Sequence, residues 1–511
     1  MKIIITFSGG LLLLLIILVM SKTAVATAVP PANDLQITGS TTYVAPNGSN
    51  SNPGTLAAPF ATIQHAVDHA GPGDTVYVRS GTYVEDVVVR NSGTAANPIT
   101  ITAYPNEHPV IDGQYNLPEK PAYGWGGCNN SISPPKCFHY TGLVWLRGDH
   151  VIFEGFEIKR SLGRGMVVQV KDGRPTNVII RNNIVHDHRS AAFAIIEADN
   201  ILVEGNEFYH AGDYATPDRS GSNLSWPVAV SAIESTNIVY KSNVIHNNWG
   251  EGLSTGRGSV GVHVIDNTLY DNFALNIYIH RSHSVYVARN LVYCTNDPDF
   301  HRGGNPPPGI TINNETNFSG MITVDGVRIV NNLVTGCRQN FAIWSQGTEL
   351  TSNVIVTHNT FVNATSNPGM AEAIGVTFAT GNYKNIQFMN NIISQSAFNL
   401  GWSAGSSGIT YNNNLWSAPA HSSVAGAGDL VGNPAFVNGN GALQPGLVSA
   451  AWFKLQASSP AIDAGAFAGQ LDDHFSNLRG LSPDIGMHEH PDGVIQLLEE
   501  KIFLPAAFSR N

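Results

Sequence analysis

One short phrase, built around an asparagine, recurs nine times between Gly155 and Asn414. Each copy holds the landmark Asn, alternating apolar residues, a polar turn and a second short apolar strand. Four of the steps between landmarks are 23 or 24 residues, and the longer steps look like the same unit with an insertion. One such unit cannot bury its apolar face alone, so this period with strand-type alternation predicts a β-solenoid. The landmarks are Asn183, Asn206, Asn243, Asn267, Asn290, Asn332, Asn359, Asn391 and Asn414.

The composition is typical of an exported protein built of turns. Only 13% of the 511 residues are charged, and 51 are glycine. Residues 1–26 resemble a secretory signal, because Lys2 precedes a short apolar run that ends in small residues. We therefore expect a secreted or cell-surface protein with no membrane span after signal removal. Loss of Lys2 and Lys22 with that signal takes the net charge from −11 to −13, which disfavours nucleic acid as a partner.

Four cysteines suit this exported setting. Cys128 and Cys137 flank a Pro- and Asn-rich loop and are predicted to close it. Cys294 and Cys337 lie four and five residues past landmarks of successive coils, so they should stack within bonding reach. We predict both disulfides, and two buried thiols are the alternative for the second pair.

The repeat divides the chain into a body with a cap at each end, since open sheet edges recruit other chains. Residues 62–70 carry apolar side chains at helical spacing and predict one amphipathic helix in the leading cap. The expected segments are a signal peptide (1–26), a leading cap with the first coils (41–113), a disulfide-closed insertion (114–140), the solenoid body (141–424), a trailing cap (425–490) and a tail (491–511).

Segments in both caps resemble segments of one known protein family. Tyr43-Val-Ala-Pro-Asn-Gly, Pro59-Phe-Ala-Thr-Ile-Gln and Gly71-Pro-Gly-Asp-Thr-Val-Tyr-Val resemble the leading segment of secreted right-handed parallel β-helix proteins of the pectate-lyase-like superfamily. Ser459-Pro-Ala-Ile-Asp-Ala-Gly and Pro483-Asp-Ile-Gly are similar to the module that often closes such chains. The resemblance implies an all-β, right-handed parallel β-helix with a helix-containing N-terminal cap and a β-rich C-terminal cap. It also implies an extracellular protein that meets polysaccharides, commonly through Ca²⁺-assisted β-elimination of uronates.

The resemblance transfers no site. Family-nine pectate lyases place an Asp-rich calcium cluster beside a Lys base, and no matching Asp-Gly-Phe-Ala-Ala-Lys stretch occurs here. Ca²⁺ is the only cofactor that the sequence admits, with Asp297 and Asp299 of the 295–309 insertion as its two candidate ligands. A solvated loop is the favoured alternative. No phosphate loop, Ser-His-Asp order or zinc motif rises above chance.

Stacked coils turn equal offsets from the landmarks into columns of neighbours about 4.8 Å apart. The first predicted column is Glu197, Glu234, Arg257 and Arg281, two acids followed by two bases. Adjacent carboxylates raise one another's pKa, which can make an acid or base at neutral pH, and an arginine pair can hold a sugar carboxylate. A ladder of structural salt bridges is the alternative.

The second predicted column follows the landmarks by four residues and contains Asp187, His210, Asn247 and Asp271. Aromatic residues beside carboxylates and imidazoles are what a sugar site requires. Turn capping by these Asp, Asn and His side chains is the alternative. The candidate catalytic residues of this region are His186, Asp187, His188 and Asp271, and the candidate substrate-binding residues are Arg189, Trp249, Glu251 and Phe273.

These patterns favour a monomer that recognises an extracellular polysaccharide on the lateral face of coils 181–302, and the hypothesis extends to its cleavage. A lyase would use His186, His188, Arg257 or Arg281 as base or charge partner. A hydrolase would use Glu197 with Glu234, or Asp187 with Asp271, as its acid pair. We favour the lyase over the hydrolase. The rival is a non-catalytic surface or adhesive protein that binds glycan or protein.

Overall fold

The computed structural model describes most of the chain from residue 39 to residue 491. The described ranges are 39–118, 140–169, 173–213, 227–315, 320, 322–344, 349–366, 374–396, 399–405 and 407–491, with the backbone alone of 126–129 and 136–139. The predicted signal peptide and the tail beyond residue 491 lie outside them. Among the described residues no helix has the length and apolar character needed to span a bilayer.

Three long parallel sheets wind around a common core, because each coil contributes one strand to each sheet in turn. The first sheet contains Thr41–Val44, Thr75–Val78, Ile99–Ala103, Val151–Glu154, Thr176–Arg181, Asp199–Glu204, Thr236–Lys241, Val260–Ile265, Tyr286–Ala288, Asp325–Val330, Leu350–Thr357, Asn382–Met389 and Ile409–Asn412. This arrangement confirms the predicted all-β parallel helix.

The other two sheets are built in the same way. The second contains Gly81–Tyr83, Pro109–Asp112, Glu157–Lys159, Ile184–His188, Glu207–Ala211, Val244–His246, Thr268–Tyr270, Leu291–Tyr293, Leu333–Thr335, Thr360–Val362, Ile392–Ser394, Leu415–Trp416 and Leu430–Val431. The third contains Val87–Val89, Gly142–Leu146, Arg164–Val168, Phe193–Ile196, Val228–Ile233, Glu251–Gly256, Leu275–His280, Ile310–Asn313, Phe341–Ile343, Ile374–Phe378 and Asn399–Ser403.

Alternation along the strands fills the inside of the coil. In one coil Val178 and Ile180 of the first sheet, Val185 of the second, and Phe193 and Ile195 of the third are all fully buried. Residues between them point outward, as the pleat of a strand requires. Outward positions are therefore the ones that can carry a function.

The landmark asparagines form a continuous ladder through the core. Each side-chain amide donates to the side-chain oxygen of the next landmark at 2.9 to 3.2 Å, from Asn183 to Asn414. The same oxygens accept backbone N–H groups at 2.9 to 3.0 Å. The ladder ends on the Asp429 carboxylate. The landmarks are thus structural, because they satisfy buried backbone groups.

The leading helix runs over Ile63–His69, within the predicted range. Thr62 caps its start by accepting from the His65 backbone N–H at 3.3 Å. The Glu85 carboxylate accepts from the backbone N–H groups of Ile63 and Gln64, both at 2.9 Å. A carboxylate at this end also complements the helix dipole.

One predicted disulfide is confirmed. Cys294 and Cys337 are joined, with an S–S distance of 2.01 Å and a Cα–Cα distance of 4.8 Å. Gly126–Asn129 and Lys136–His139 pair as an antiparallel hairpin in which Cys128 lies opposite Cys137. The side chains of that pair lie outside the described residues, so their disulfide stays a prediction.

The trailing region differs from the expected β-rich cap. Beyond residue 431 the described chain has a 3₁₀ turn at Ala450–Phe453 and isolated bridges in place of strands. It packs along the side of several coils, where Arg479 donates to the Asn331 side chain at 3.0 Å and Asn390 donates to the Ala466 carbonyl at 2.7 Å. A segment without its own sheet must pair its buried polar groups through such contacts.

The asparagine ladder predicts a large loss of stability for Asn267→Ala. The change removes the acceptor of the Asn243 backbone N–H and side-chain amide, and the donor to the Asn290 oxygen. Each orphaned buried polar group costs about 1–3 kcal/mol, so the loss should reach several kcal/mol. Denaturant unfolding followed by circular dichroism measures it. Thr268→Ala at the next, outward position is the control, and equal midpoints for the two variants would contradict the ladder's role.

Candidate functional site

The second predicted column lies where the chain leaves the second sheet, and its register is confirmed. The backbone N–H of His210 donates to the Asn247 carbonyl at 3.1 Å, and that of Asn247 donates to the Tyr270 carbonyl at 3.3 Å. Asp187, His210, Asn247 and Asp271 all have φ between 50° and 58°. Asp, Asn and His tolerate this left-handed conformation better than branched residues do, which explains their recurrence at the turn.

Asp187 joins two imidazoles at this edge. Its carboxylate lies 2.7 Å from His186 Nδ1 and 3.1 Å from His210 Nδ1. These two hydrogen bonds lower the pKa of Asp187 well below its usual range, so the carboxylate stays ionised. The His186 side chain is 11% exposed and its Nε2 faces Glu157 at 3.3 Å, whereas the His210 side chain is 41% exposed. His210 is therefore the accessible imidazole, with its Nδ1 oriented by a carboxylate.

Aromatic rings surround His210. The Trp249 ring stacks on the imidazole at 5.5 Å between centroids and lies 5.4 Å from the ring of Phe300, in the 295–309 insertion. The Trp249 Nε1–H is buried and has no hydrogen-bond partner among the residues that the structure describes. Phe273 occupies the position of Trp249 on the next coil and is only 3% exposed. It therefore has little surface that a ligand could contact.

Arg189 lies at the same edge, where the chain leaves the second sheet. Its guanidinium forms an ion pair with Asp213 and lies 4.2 Å above the centre of the Tyr115 ring. Burial lowers the pKa of Arg189, and the side chain is 18% exposed. Arg189 thus lies in the region of the second predicted column, and the Asp213 carboxylate is already its partner.

Burial argues against two of the predicted catalytic groups. His188 is fully buried, and its Nδ1 accepts the Ser161 backbone N–H at 3.2 Å. Asp271 is 1% exposed and accepts from the Thr295 backbone N–H at 2.8 Å and hydroxyl at 2.7 Å. Burial raises the pKa of Asp271 and lowers the pKa of His188 to about 3. Both side chains hold turns in place and neither faces a substrate.

The first predicted column is also in register, where the chain leaves the third sheet. The Glu197 N–H donates to the Ile233 carbonyl at 3.0 Å and the Glu234 N–H donates to the Arg257 carbonyl at 3.2 Å. Glu197 is half-buried, and Glu234 and Arg257 are exposed. The pair of glutamates therefore lies on adjacent coils at the surface.

Arg281 differs from the rest of its column because it is fully buried. Its guanidinium forms an ion pair with Glu349 and donates to the Glu315 backbone carbonyl at 2.6 and 2.8 Å. Removal of one partner of a buried ion pair costs about 3–5 kcal/mol, so this contact is structural. The predicted role of Arg281 as a charge partner for substrate is not supported by this geometry.

The outer face of the third sheet lies between the two columns and carries a polar cluster that the sequence analysis missed. Tyr278 stacks on His280 at 5.4 Å with the rings 9° from parallel. The Tyr278 hydroxyl donates to the Glu315 carboxylate at 2.6 Å and accepts from the Asn313 amide at 3.1 Å. Burial lowers the pKa of His280 to about 4. Alternation over Leu275–His280 was the available signal, since it places Tyr278 and His280 on the outward side.

Glu251 begins the strand Glu251–Gly256, opposite Leu275, and is half-buried.

The Asp297 carboxylate caps the Pro298–Phe300 turn by accepting from the Asp299 backbone N–H at 3.0 Å. Among the described ranges no group of three or more acidic, His or Cys side chains is arranged to hold a metal ion. The calcium site at Asp297 and Asp299 therefore stays a prediction.

Comparison with known proteins agrees with this architecture. Residues 42–225 match the family described as "Pel9A-like, right handed beta helix region". The chain is 45% identical over 82 residues to pectate lyase PEL9 of Emericella nidulans, covering 16% of this chain and 20% of that protein. It is 25% identical over 263 residues to pectate lyase L of Paenibacillus polymyxa, covering 49% and 53%. The aligned segments thus span about half or less of these relatives.

Among solved structures, the crystal structure of pectate lyase Pel9A superposes with a TM-score of 0.46 at 18% identity, covering 88% of this chain and 96% of that one. The three parallel sheets define a right-handed parallel β-helix protein, and its residues 42–225 are similar to the Pel9A-like β-helix region.

The burial of His188 predicts a pH dependence of stability. Its pKa is about 3 in the fold against an ordinary 6.5, so between these values the unfolded chain binds more protons. The free energy of unfolding should fall by about 2 kcal/mol between pH 7 and pH 5 from this group. Urea unfolding at the two pH values measures it. His188→Gln should reduce the difference by about 2 kcal/mol, whereas His108→Gln, at an exposed position, should leave it unchanged.

Proposed function

We propose that this protein binds an extracellular uronate-containing polysaccharide at the edge between the second and third sheets and cleaves it by β-elimination. The carrying observation is the half-exposed His210 imidazole, held by Asp187 at 3.1 Å and stacked against Trp249 at 5.5 Å. An indole beside an imidazole and a carboxylate suits a sugar ring, which needs a flat surface and polar groups for its hydroxyls. The confirmed disulfide, together with the predicted signal, supports an exported location.

His210 is the base in this proposal. A hydrogen bond from Nδ1–H to the ionised Asp187 leaves Nε2 as the acceptor nitrogen, and it stabilises the imidazolium that forms when Nε2 takes a proton. His186 lacks this freedom because both of its ring nitrogens face carboxylates, Asp187 at 2.7 Å and Glu157 at 3.3 Å. His210 thus replaces His186 and His188 as the proposed base.

The reaction balances without a redox partner. Nε2 of His210 takes the proton from the sugar carbon next to the uronate carboxylate, and the freed electron pair forms a carbon–carbon double bond. The bond from the adjacent carbon to the glycosidic oxygen breaks, and that oxygen leaves with a proton from the imidazolium or from water. A cation near the uronate carboxylate offsets the charge that develops before the bond breaks.

Glycoside hydrolysis is the second candidate, and Glu197 with Glu234 favours it. These residues occupy the same position on adjacent coils, and strands in a sheet lie about 4.8 Å apart. Retaining hydrolases hold their two carboxyl groups about 5–5.5 Å apart, so the pair is near the required spacing. A reducing-sugar assay on Glu197→Gln and Glu234→Gln separates this reaction from elimination.

His210→Gln tests the lyase proposal. Loss of a general base should lower turnover of the responsive uronate polymer by about 10²–10⁴-fold, measured as ultraviolet absorbance of unsaturated ends. The matched control is His246→Gln on the next coil, whose Nδ1 faces the neutral Asn247 amide at 2.6 Å and whose Nε2 already faces the Glu207 carboxylate at 3.1 Å. The control should retain activity with little change.

Two outcomes contradict the proposal, and a third identifies its charge partner. Equal turnover by His210→Gln and the unmodified protein would remove His210 from the reaction. Loss of activity in a chelator would assign the cation near the uronate carboxylate to a bound metal ion. Glycan binding without unsaturated or new reducing ends would favour the non-catalytic, adhesive alternative.

A further inference from the structure

The outer face of the first sheet carries an apolar row across four successive coils. Inward positions of these strands, such as Val178 and Ile180, are fully buried, so the residues between them face away from the core. One outward position in each coil is aliphatic, and these four side chains are aligned by the sheet register and remain partly exposed. They are Ile152, Ile179, Leu202 and Val239. The row ends at Thr100 on one side and at His263 on the other.

A row of alternating charges runs beside the apolar row, two residues further along each strand. Its members are Glu154, Arg181, Glu204 and Lys241. Within the chain Arg181 forms an ion pair with Glu154, and the Lys241 ammonium lies 2.6 Å from the Glu204 carboxylate. The Arg181 and Lys241 side chains are still 40% and 42% exposed, so both cations can meet a second carboxylate.

Asparagine side chains border the apolar row on its other flank. Asn177, Asn200 and Asn237 are aligned by the same register, and the Asn200 amide donates to the Asn177 side-chain oxygen. The face is therefore apolar along its middle and polar along both flanks, which is the arrangement that protein interfaces have.

The order of the charges is self-complementary under a two-fold rotation. An axis parallel to the strands, passing between the coils of Arg181 and Glu204, turns a second copy so that its coils run in the opposite direction. Glu154 then faces Lys241 of the second copy, and Arg181 faces Glu204 of the second copy. Each of these contacts occurs twice, because a two-fold interface uses the same patch on both chains.

We propose that two copies of this chain associate through the outer faces of their first sheets as a two-fold symmetric dimer. The apolar rows face each other in this arrangement, with Ile179 opposite Leu202 of the second copy, and the charge rows pair beside them. A patch of four coils lies at the low end of specific interfaces, so the dimer should be weak and depend on concentration. The monomer that the sequence patterns favour is then the dilute state. The His210 edge joins the other two sheets, so the dimer does not depend on the proposed reaction.

Sedimentation equilibrium of the full chain, from micromolar to near-millimolar concentration, tests the dimer. The mass should rise with concentration toward that of two copies. Ile179→Asp should raise the dissociation constant by about tenfold or more, because the substitution enters the interface twice and places a charge against an apolar row. The matched control is Ile184→Asp, at an outward position of the second sheet that is 41% exposed, and it should leave the dissociation constant unchanged.

Exchanged charges test the two-fold pairing itself. Arg181→Glu places two acids opposite each other in its own dimer, and Glu204→Arg places two bases opposite each other. Each variant alone should therefore dimerise about tenfold or more weakly than the unmodified chain. A mixture of the two variants restores an acid–base pair at both contacts and should recover the dimer. Thermal unfolding of each variant confirms that the fold is intact before its association is compared.

A monomer mass at every concentration would overturn the dimer, and so would equal effects of Ile179→Asp and Ile184→Asp. A mixture of Arg181→Glu and Glu204→Arg that associates no better than its parts would overturn the two-fold pairing. Binding of a uronate tetramer that Ile179→Asp abolishes, without any dimer, would assign this face to a glycan instead of a second copy. Loss of turnover in His210→Gln with an unchanged dimer would separate the two proposals.

Discussion

The buried asparagine ladder is the contact on which the rest of this structure depends. Each landmark after Asn183 accepts one backbone N–H and one side-chain amide from the coil before it, and none from Asn183 to Asn414 is more than 1% exposed. A shift of one residue in any coil would break several buried hydrogen bonds and turn core side chains outward. The ladder therefore sets the register, and the register converts positions in a repeat into neighbours in space.

Register explains why chemistry collects at two edges. Where the chain leaves the second and third sheets, one residue per coil adopts a left-handed conformation, and polar side chains recur there. The register of adjacent coils places Asp187 beside His210 and Glu197 beside Glu234. The third sheet lies between these two edges, and its outward residues Ser231, Ser254 and Tyr278 are buried.

The same repeat does not decide which members of a column meet solvent. Arg257 and Arg281 have equivalent positions on successive coils, yet the first is exposed and the second is fully buried against Glu349 and the Glu315 carbonyl. The difference comes from later coils, which carry those partners. Likewise His186, His188 and His210 are close in sequence or in register, and only His210 has a largely accessible side chain.

Sequence reasoning succeeded for the features that repeat or that follow local rules. Four features were predictable: the β-helix, the leading helix, the Cys294–Cys337 bond and the order of both columns. In stacked coils, residues at equal offsets from the landmarks become neighbours in space. It failed for the trailing region and for the cluster of Tyr278, His280 and Glu315. Those contacts join segments with no shared period, and no repeat relates them.

What the sequence determined alone is therefore the architecture and the membership of each column. The tertiary structure decided exposure, ionic pairing and the choice of imidazole, because these depend on desolvation and on charges contributed by distant coils. Arg164 illustrates the division. Its position at the start of a strand follows from the repeat, whereas its contacts with the Tyr140 carbonyl and ring emerge only when the coils are stacked.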